Sequence, residues 1–496
     1  MSFENDIELV IHVDSDKILF EYTKTNGPGK KYAPDEYNEE TIRIELQVAK
    51  TFHKVLNYLY LKKDIFQKED FEILGEMLRK ILYGKLGEAV VEGIVFQFLE
   101  SARGTAKGRM YLEFEKNCEL SVLPWEYTIL KDEKNRSIYP AANKDKNFDF
   151  IRRIDAAGNL RRIATKKLNC VFIISSIKRK IQGEEEIPAV GDDEVQMVTG
   201  LFEELKKNYP QQFDFQVLNN PAFEDLDKEI EKAVSKFEHE GNDPALYTVH
   251  YLGHSSFDGE GRIAFFRNDN TSHWIKDYEF AQVFDPRNLD FGSPQMFVLQ
   301  ACDSAKLSNY GAGRGVALAL VNQRIPAVLG MQNEVDVSTS TEFMKCFYEA
   351  LLNGSDVGEA VTIGRTYLGK GAQDVEGRYL KGAADWYKTN AFGSPVLFIT
   401  TLRPVYFFEQ TVPVIDDTVE KNVFKKCRLC KVELEVPESQ ATCKRLIREP
   451  GRPSRLCGGI LDEIELDQET SASAVSSAVD SKSAIEVPSS ANVLKP

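Results

Sequence analysis

Val249-His250-Tyr251-Leu252-Gly253-His254-Ser255-Ser256 and Phe297-Val298-Leu299-Gln300-Ala301-Cys302-Asp303-Ser304 decide the fold. Each begins as an apolar run of the kind that forms a buried strand, and each ends in a residue able to do chemistry. His254 and Cys302 lie 48 residues apart, the length of one strand-helix-strand step in a parallel sheet. Reactive groups of doubly wound sheets gather at the carboxyl ends of the strands, where both residues fall. There an imidazole beside a thiol makes the sulfur a usable nucleophile near neutral pH.

Strand and helix patterns alternate on both sides of this pair. Upstream, Asn169–Ser176 reads as a buried strand, Asp192 to about Lys207 as a helix, Phe213–Leu218 as a strand and Ala222–Glu240 as an amphipathic helix. Downstream come a helix at Gly315–Gln323, a strand at Pro326–Met331, two helices near 338–353 and 355–369, and a last strand at Pro395–Ile399. Continuous apolar strands separated by helices predict an α/β fold, with a mostly parallel sheet covered on both faces. Ahead of this core, Ile7–Val13 and Lys17–Tyr22 predict a hairpin, and two helical patterns follow at roughly 40–62 and 69–102. His53 sits on the apolar stripe of the first, as a packed residue. Met110–Phe114 reads as an edge-like strand, and Pro124 makes Leu120–Tyr127 a strand end or turn.

The chain has 496 residues, enough for two or three domains, and 42% hydrophobic with 28% charged residues is ordinary globular composition. A formal net charge of −15 argues against a surface given over to nucleic acid. No apolar run is long enough to span a membrane, and the first residues lack the pattern of a signal peptide. Eight cysteines in so long a chain are not a disulfide scaffold, so free thiols and a cytoplasmic location are expected.

As a catalytic pair, His254 would be the general base toward the Cys302 thiol and the acid toward a leaving amine. The backbone N–H groups of Cys302 and of Gly253 or Ser255 are the natural donors to an oxyanion. A buried cysteine or histidine at a strand end is structural more often than catalytic; the matched positions of the two carry the catalytic reading. His250 shares a face with His254 and is expected to pack beneath the site. Asp303 is expected to cap the following helix, and Asp258 follows in the loop after His254.

Several blocks, in order, resemble the CHAT family of bacterial caspase-like proteins, relatives of caspases and separases. His250-Tyr251-Leu252-Gly253-His254 and Gln300-Ala301-Cys302-Asp303 are similar to the family's His-x-x-x-His and Ala-Cys strand ends. Leu123-Pro124-Trp125-Glu126, Gly315 to Val328, Phe343 to Gly354 and Trp386 to Phe398 resemble further family segments, so the likeness covers roughly residues 70–400. The resemblance implies a caspase-like cysteine endopeptidase acting on a protein substrate through a His254–Cys302 dyad. It also implies control by an activating protein or effector complex in a bacterial defence or stress pathway. Where the family usually has glycine after the histidine, this chain has Ser255. That residue favours the alternative, a catalytically silent caspase-like scaffold that binds a partner.

The expected organisation is an N-terminal hairpin and helical region (1–105), a caspase-like domain (106–405), a linker (406–426), a cysteine-rich module (427–460) and a disordered tail (461–496). Cys427, Cys430, Cys443 and Cys457 place half of all cysteines within 31 residues, in a segment with few apolar side chains. Four thiolates suffice for a closed structural zinc site, which is the expected role; incidental cysteines in a flexible segment are the plain alternative. The module's basic residues would suit nucleic acid or an acidic protein patch, and a solvated basic face is the commoner explanation for them. The charged stretch Lys178-Arg179-Lys180 to Glu184-Glu185-Glu186 reads as a loop at the site's edge. No cofactor is expected in catalysis: no Gly-x-Gly-x-x-Gly opens a helix after a strand.

Overall fold

The computed structural model describes residues 7–13, 18–24, 30–32, 47, 48, 50, 51, 54, 68–83, 108–114, 118–131, 137–142, 148–154, 167–176, 190–237, 246–268, 272–286, 289, 291–307, 315–369, 391–401, 405, 407 and 408, with short strands between 422 and 463. His53, the charged loop from Lys178 to Glu186 and the tail beyond Glu463 lie outside the described residues. The chain divides into two compact units, Met1–Thr411 and Val412–Pro496. Among the described residues no helix is long and apolar enough to cross a membrane.

An eleven-stranded sheet organises the first unit. Its strands are β1 (Ile7–Val13), β2 (Ile18–Lys24), β3 (Lys30–Tyr32), β4 (Gly108–Phe114), β5 (Phe148–Ile154), β6 (Leu168–Ile174) and β7 (Phe213–Asn219). β8 (Tyr247–Leu252) follows, then a small three-stranded antiparallel sheet of β9 (Ser255–Phe257), β10 (Gly261–Phe266) and β11 (Ser272–Lys276). β12 (Met296–Gln300), β13 (Ala327–Met331) and β14 (Pro395–Ile399) complete the large sheet, whose order is β3-β2-β1-β4-β5-β14-β13-β12-β8-β6-β7. The predicted mixed α/β fold with a mostly parallel sheet is thus observed. β7, β6, β8, β12 and β13 run parallel, β14 is antiparallel to β13, and β14, β5, β4 and β1 are again parallel. The N-terminal hairpin extends this sheet, because β1 pairs residue for residue with β4.

Both faces of the sheet are covered, as all-apolar strands require. One face carries α1 (Lys68–Tyr83), α2 (Asp192–Asn208), α6 (Val337–Leu352) and α7 (Val357–Gly369); the other carries α3 (Leu226–Val234), α4 (Asp277–Gln282) and α5 (Val316–Asn322). The pleat sorts the side chains: Leu252, Val298 and Leu329 join the first core, whereas Val249, Tyr251, Leu299 and Val328 join the second. Burying each such side chain stabilises the fold by about 1.5–3 kcal/mol. α3 is shorter than the predicted helix, since Phe223–Asp225 forms a 3₁₀ turn ahead of it.

The segment around Pro124 forms two 3₁₀ turns, Glu119–Val122 and Trp125–Tyr127, in place of a strand. The Trp125 indole donates to the Leu120 carbonyl at 2.8 Å, and Glu126 drops into the interior. Arg152 meets its carboxylate through two hydrogen bonds of 2.9 and 2.5 Å, Gln332 donates to it at 2.9 Å, and Arg365 lies 3.7 Å away. Burial lowers the Arg365 pKa to about 10, against the pull of Glu126. This pairing compensates charges that would be costly to bury alone. It ties the 3₁₀ segment to β5, to the residue after β13 and to α7.

In the second unit the described strands are β15 (Asn422–Cys427), β16 (Glu433–Pro437), β17 (Leu446–Ile447), β18 (Arg455–Leu456) and β19 (Leu461–Glu463). β15 pairs with β16 and β19, and β17 with β18. Paired strands therefore begin inside the stretch read as a linker and run three residues into the stretch read as the tail. Cys427 ends β15; Cys430, Cys443 and Cys457 lie outside the described residues.

Candidate active site

β8 and β12 are neighbours in parallel register, with Leu252 opposite Gln300. His254 and Cys302 each lie two residues past these partners, so the two chain ends emerge side by side from one edge. Both line a cavity of about 190 Å³ whose walls are mostly apolar, from Val190, Leu252, Met331 and Val337. Gln300 and Ser340 are its uncharged polar lining, and Glu194 and Asp336 its acids.

The small sheet fixes the histidine side. Ala264 of β10 donates to the His254 carbonyl at 2.9 Å, and the Tyr251 hydroxyl bonds the Ala264 carbonyl at 2.7 Å. A Cβ at Gly253 would collide with that hydroxyl and lie 2.6 Å from the ring carbon bearing it, which explains glycine here. Gly253 N–H points across to the Gln300 carbonyl at 3.5 Å. Nε2 of His254 is buried and makes no hydrogen bond among the described residues. Burial lowers the His254 pKa, and the negative charge of Glu194 partly opposes this.

The cysteine side is held by the turn that follows it. Asp303 adopts a left-handed φ of 58°, a conformation an Asp tolerates better than most residues. Its carboxylate meets Lys306 at 2.7 Å. The predicted helix cap is therefore corrected: residues 304–307 are not helical, α5 is the next helix among the described residues and begins at Val316, and Asp303 closes a tight turn onto Lys306. Ser304 is fully buried; its hydroxyl accepts from Met331 N–H at 2.9 Å, and its carbonyl accepts from Ala317 N–H at 3.0 Å. The Cys302 loop is thus fastened to the end of β13 and to the start of α5.

Burial raises the Cys302 thiol pKa. The Val335 N–H on its sulfur opposes that, Glu334 and Asp303 add to it, and Lys306 opposes it weakly. Burial thus disfavours the charged form of both residues, shifting His254 downward and Cys302 upward. The Ser255 hydroxyl donates to the Cys302 carbonyl and joins the two strand ends.

His250 is fully buried, as expected of a residue packed beneath the site. It stands edge-on to Phe172 and Phe202, at centroid distances of 5.4 and 5.1 Å, and burial pushes its pKa down to about 3. Asp258 N–H bonds the Glu260 carbonyl within the small sheet's turn. Sequence reasoning did not single out Glu194, Gln300, Val335 or Ser340 as parts of the site. All but Gln300 lie more than 30 residues from His254 and Cys302, and no local pattern marks them.

The CHAT domain family profile matches residues 76–380. This chain belongs to the CHAT-domain family. A comparison with curated proteins finds no match. Among solved structures, the Saccharomyces cerevisiae separase–securin complex at 3.0 Å resolution is similar at 11% identity and a TM-score of 0.43, over 82% of this chain and 30% of that one. The same complex at 2.6 Å gives 10%, 0.40, 81% and 30%. Chaetomium thermophilum Raptor gives 14%, 0.24, 40% and 20%. The CHAT-domain chain therefore spans under a third of the length of these chains. Among the described residues no group of three or more His, Cys, Asp or Glu is arranged to hold a metal ion.

Proposed function

We propose that this CHAT-domain protein is a cysteine endopeptidase that cleaves a protein substrate through His254 and Cys302. The observation that carries the reading is that both residues line one cavity at the carboxyl ends of adjacent parallel strands. In the proposed reaction His254 takes the thiol proton through an unoccupied ring nitrogen, and the sulfur attacks the scissile carbonyl carbon. The oxyanion is received by backbone N–H groups of Cys302 and Ser255, the Gly253 N–H expected as an alternative being turned to the Gln300 carbonyl. His254 then gives its proton to the leaving amine, and water attacks the acyl-enzyme with His254 as base.

Ser255 supports this role of the backbone. It pairs with Ile263, and the bond from Ala264 N–H to the His254 carbonyl makes that pair a non-hydrogen-bonded one. The Ser255 N–H is left outside the ladder, as an oxyanion donor needs. The serine replacing the family's usual glycine is thus compatible with activity. Control by a partner protein in a bacterial defence or stress setting is part of the proposal and comes from the family resemblance.

The test is a cleavage assay on the proteins encoded beside this one, comparing wild type with Cys302→Ala and His254→Ala. Both variants are expected to lose cleavage. A Cys302→Ala protein that cuts as fast as wild type would sink the reading and leave the silent scaffold in its place.

A further inference from the structure

The buried polar chain beneath the site has its proton directions fixed by its own chemistry. Ser340 and Thr341, in the first turn of α6, both donate to the Val337 carbonyl, at 3.0 and 2.6 Å. Each hydroxyl has one proton, so toward Gln300 both can only accept. The Gln300 amide nitrogen therefore faces them, at 2.8 and 3.3 Å. Its oxygen then faces His250 Nε2 at 3.0 Å, so that nitrogen carries the proton. His250 Nδ1 is left as an acceptor, and the Tyr348 hydroxyl of α6 donates to it at 2.9 Å. His250, Gln300, Ser340 and Tyr348 are all buried.

This chain joins the three elements that meet at the thiol. β8 leads to His254, β12 leads to Cys302 two residues after Gln300, and α6 is entered through Val335, two residues before its first turn. Val335, Val337 and Ser340 line the same cavity as Cys302. We propose that Gln300 is a positioning residue for Cys302, locking the first turn of α6 to β12 so that the start of the helix, from Val335 on, stays against the cavity wall beside Cys302. A thiolate there is stabilised by the positive end of a 16-residue helix, with the cap carboxylate of Asp336 acting against it. The charged and titratable groups that act on or face the sulfur are Glu334, Asp303, Lys306, Glu194, Asp336 and His254, and none of them belongs to the hydrogen-bonded chain.

The inference rests on Cys302 as the reactive thiol, but it is read out without a substrate. The full-length protein is alkylated with iodoacetamide across pH, and the Cys302 peptide is quantified by mass spectrometry. Gln300→Leu is expected to raise the pH midpoint by about one unit and to slow alkylation at pH 7 about tenfold. Thr341→Ser, which keeps its hydroxyl, is expected to keep the wild-type midpoint. Should Gln300→Leu fail to fold, Ser340→Ala decides, with the same upward shift expected. An unchanged midpoint in the folded variant overturns the proposal, as does an equal shift in Thr341→Ser. Loss of the peptidase reading would show separately, as cleavage that survives Cys302→Ala.

Discussion

The hydroxyl of Ser255 donates a hydrogen bond to the backbone carbonyl of Cys302. One short side chain thereby fixes the peptide plane between Cys302 and Asp303, where the backbone turns left-handed, and couples it to the strand end bearing His254. Glycine at this position could not make the bond.

Ser255→Ala and Ser255→Gly should therefore both loosen the site. Stability is expected to fall by about 1 kcal/mol, the usual net value of one hydrogen bond. Cleavage should lose more in kcat than in KM, roughly five- to tenfold, because the nucleophile is misplaced and the binding walls are untouched. Steady-state kinetics on the cleaved partner checks this; a serine-free variant with full kcat would show that the contact has no catalytic weight.

The interior ion pair makes a larger claim. Glu126→Ala strands Arg152 and Arg365 in a dry environment, and unfolding in urea should register a loss of about 3–5 kcal/mol. Glu126→Gln keeps the hydrogen-bonding shape and should cost less. Indistinguishable unfolding midpoints for Glu126→Ala and wild type would refute the assigned role.

His250 is held neutral in the folded state, with its pKa lowered from 6.5 to about 3 by burial. Its titratable neighbours Cys170 and Tyr348 are kept uncharged by burial as well. Below pH 6.5 the unfolded chain takes up a proton that the folded chain refuses, so acid favours unfolding. Stability should fall by up to about 1.4 kcal/mol per pH unit between pH 6.5 and pH 3 from this residue alone. His250→Gln should flatten that part of the stability–pH curve; an unaltered slope would show that other groups dominate acid unfolding.

Cys427, Cys430, Cys443 and Cys457 stand on their spacing as the expected ligands of a structural zinc. Protein purified under reducing, chelator-free conditions is expected to hold about one equivalent, by elemental analysis. A metal-free result would assign the four thiols no shared role.

The large sheet was legible because its strands are unbroken apolar runs. Asn169–Ser176, Phe297–Gln300 and Pro395–Ile399 can be satisfied only by a strand covered on both faces. Their order also placed His254 and Cys302 at neighbouring strand ends. The small β9–β11 sheet was not read, since its residues carry no clean alternation, although Asp258 does lie in the loop it was read in, between β9 and β10. The Asp303 cap failed because residues 304–307 form a turn and not a helix, with the left-handed Asp303 closing locally onto Lys306. Gln300 looked like the last residue of a strand; its meaning depends on Ser340 and His250, 40 and 50 residues away.

The reversal of strand direction at β14 has a geographic consequence. The rim where β8, β12 and β13 finish is also the rim where β14, β5, β4 and β1 start, with Pro395 in register with Met331. The chain as it enters β5 or β14 therefore lies on the same shore as His254 and Cys302. A contact made there reaches the two residues sideways, from strand beginnings to strand ends, along one coastline of the molecule.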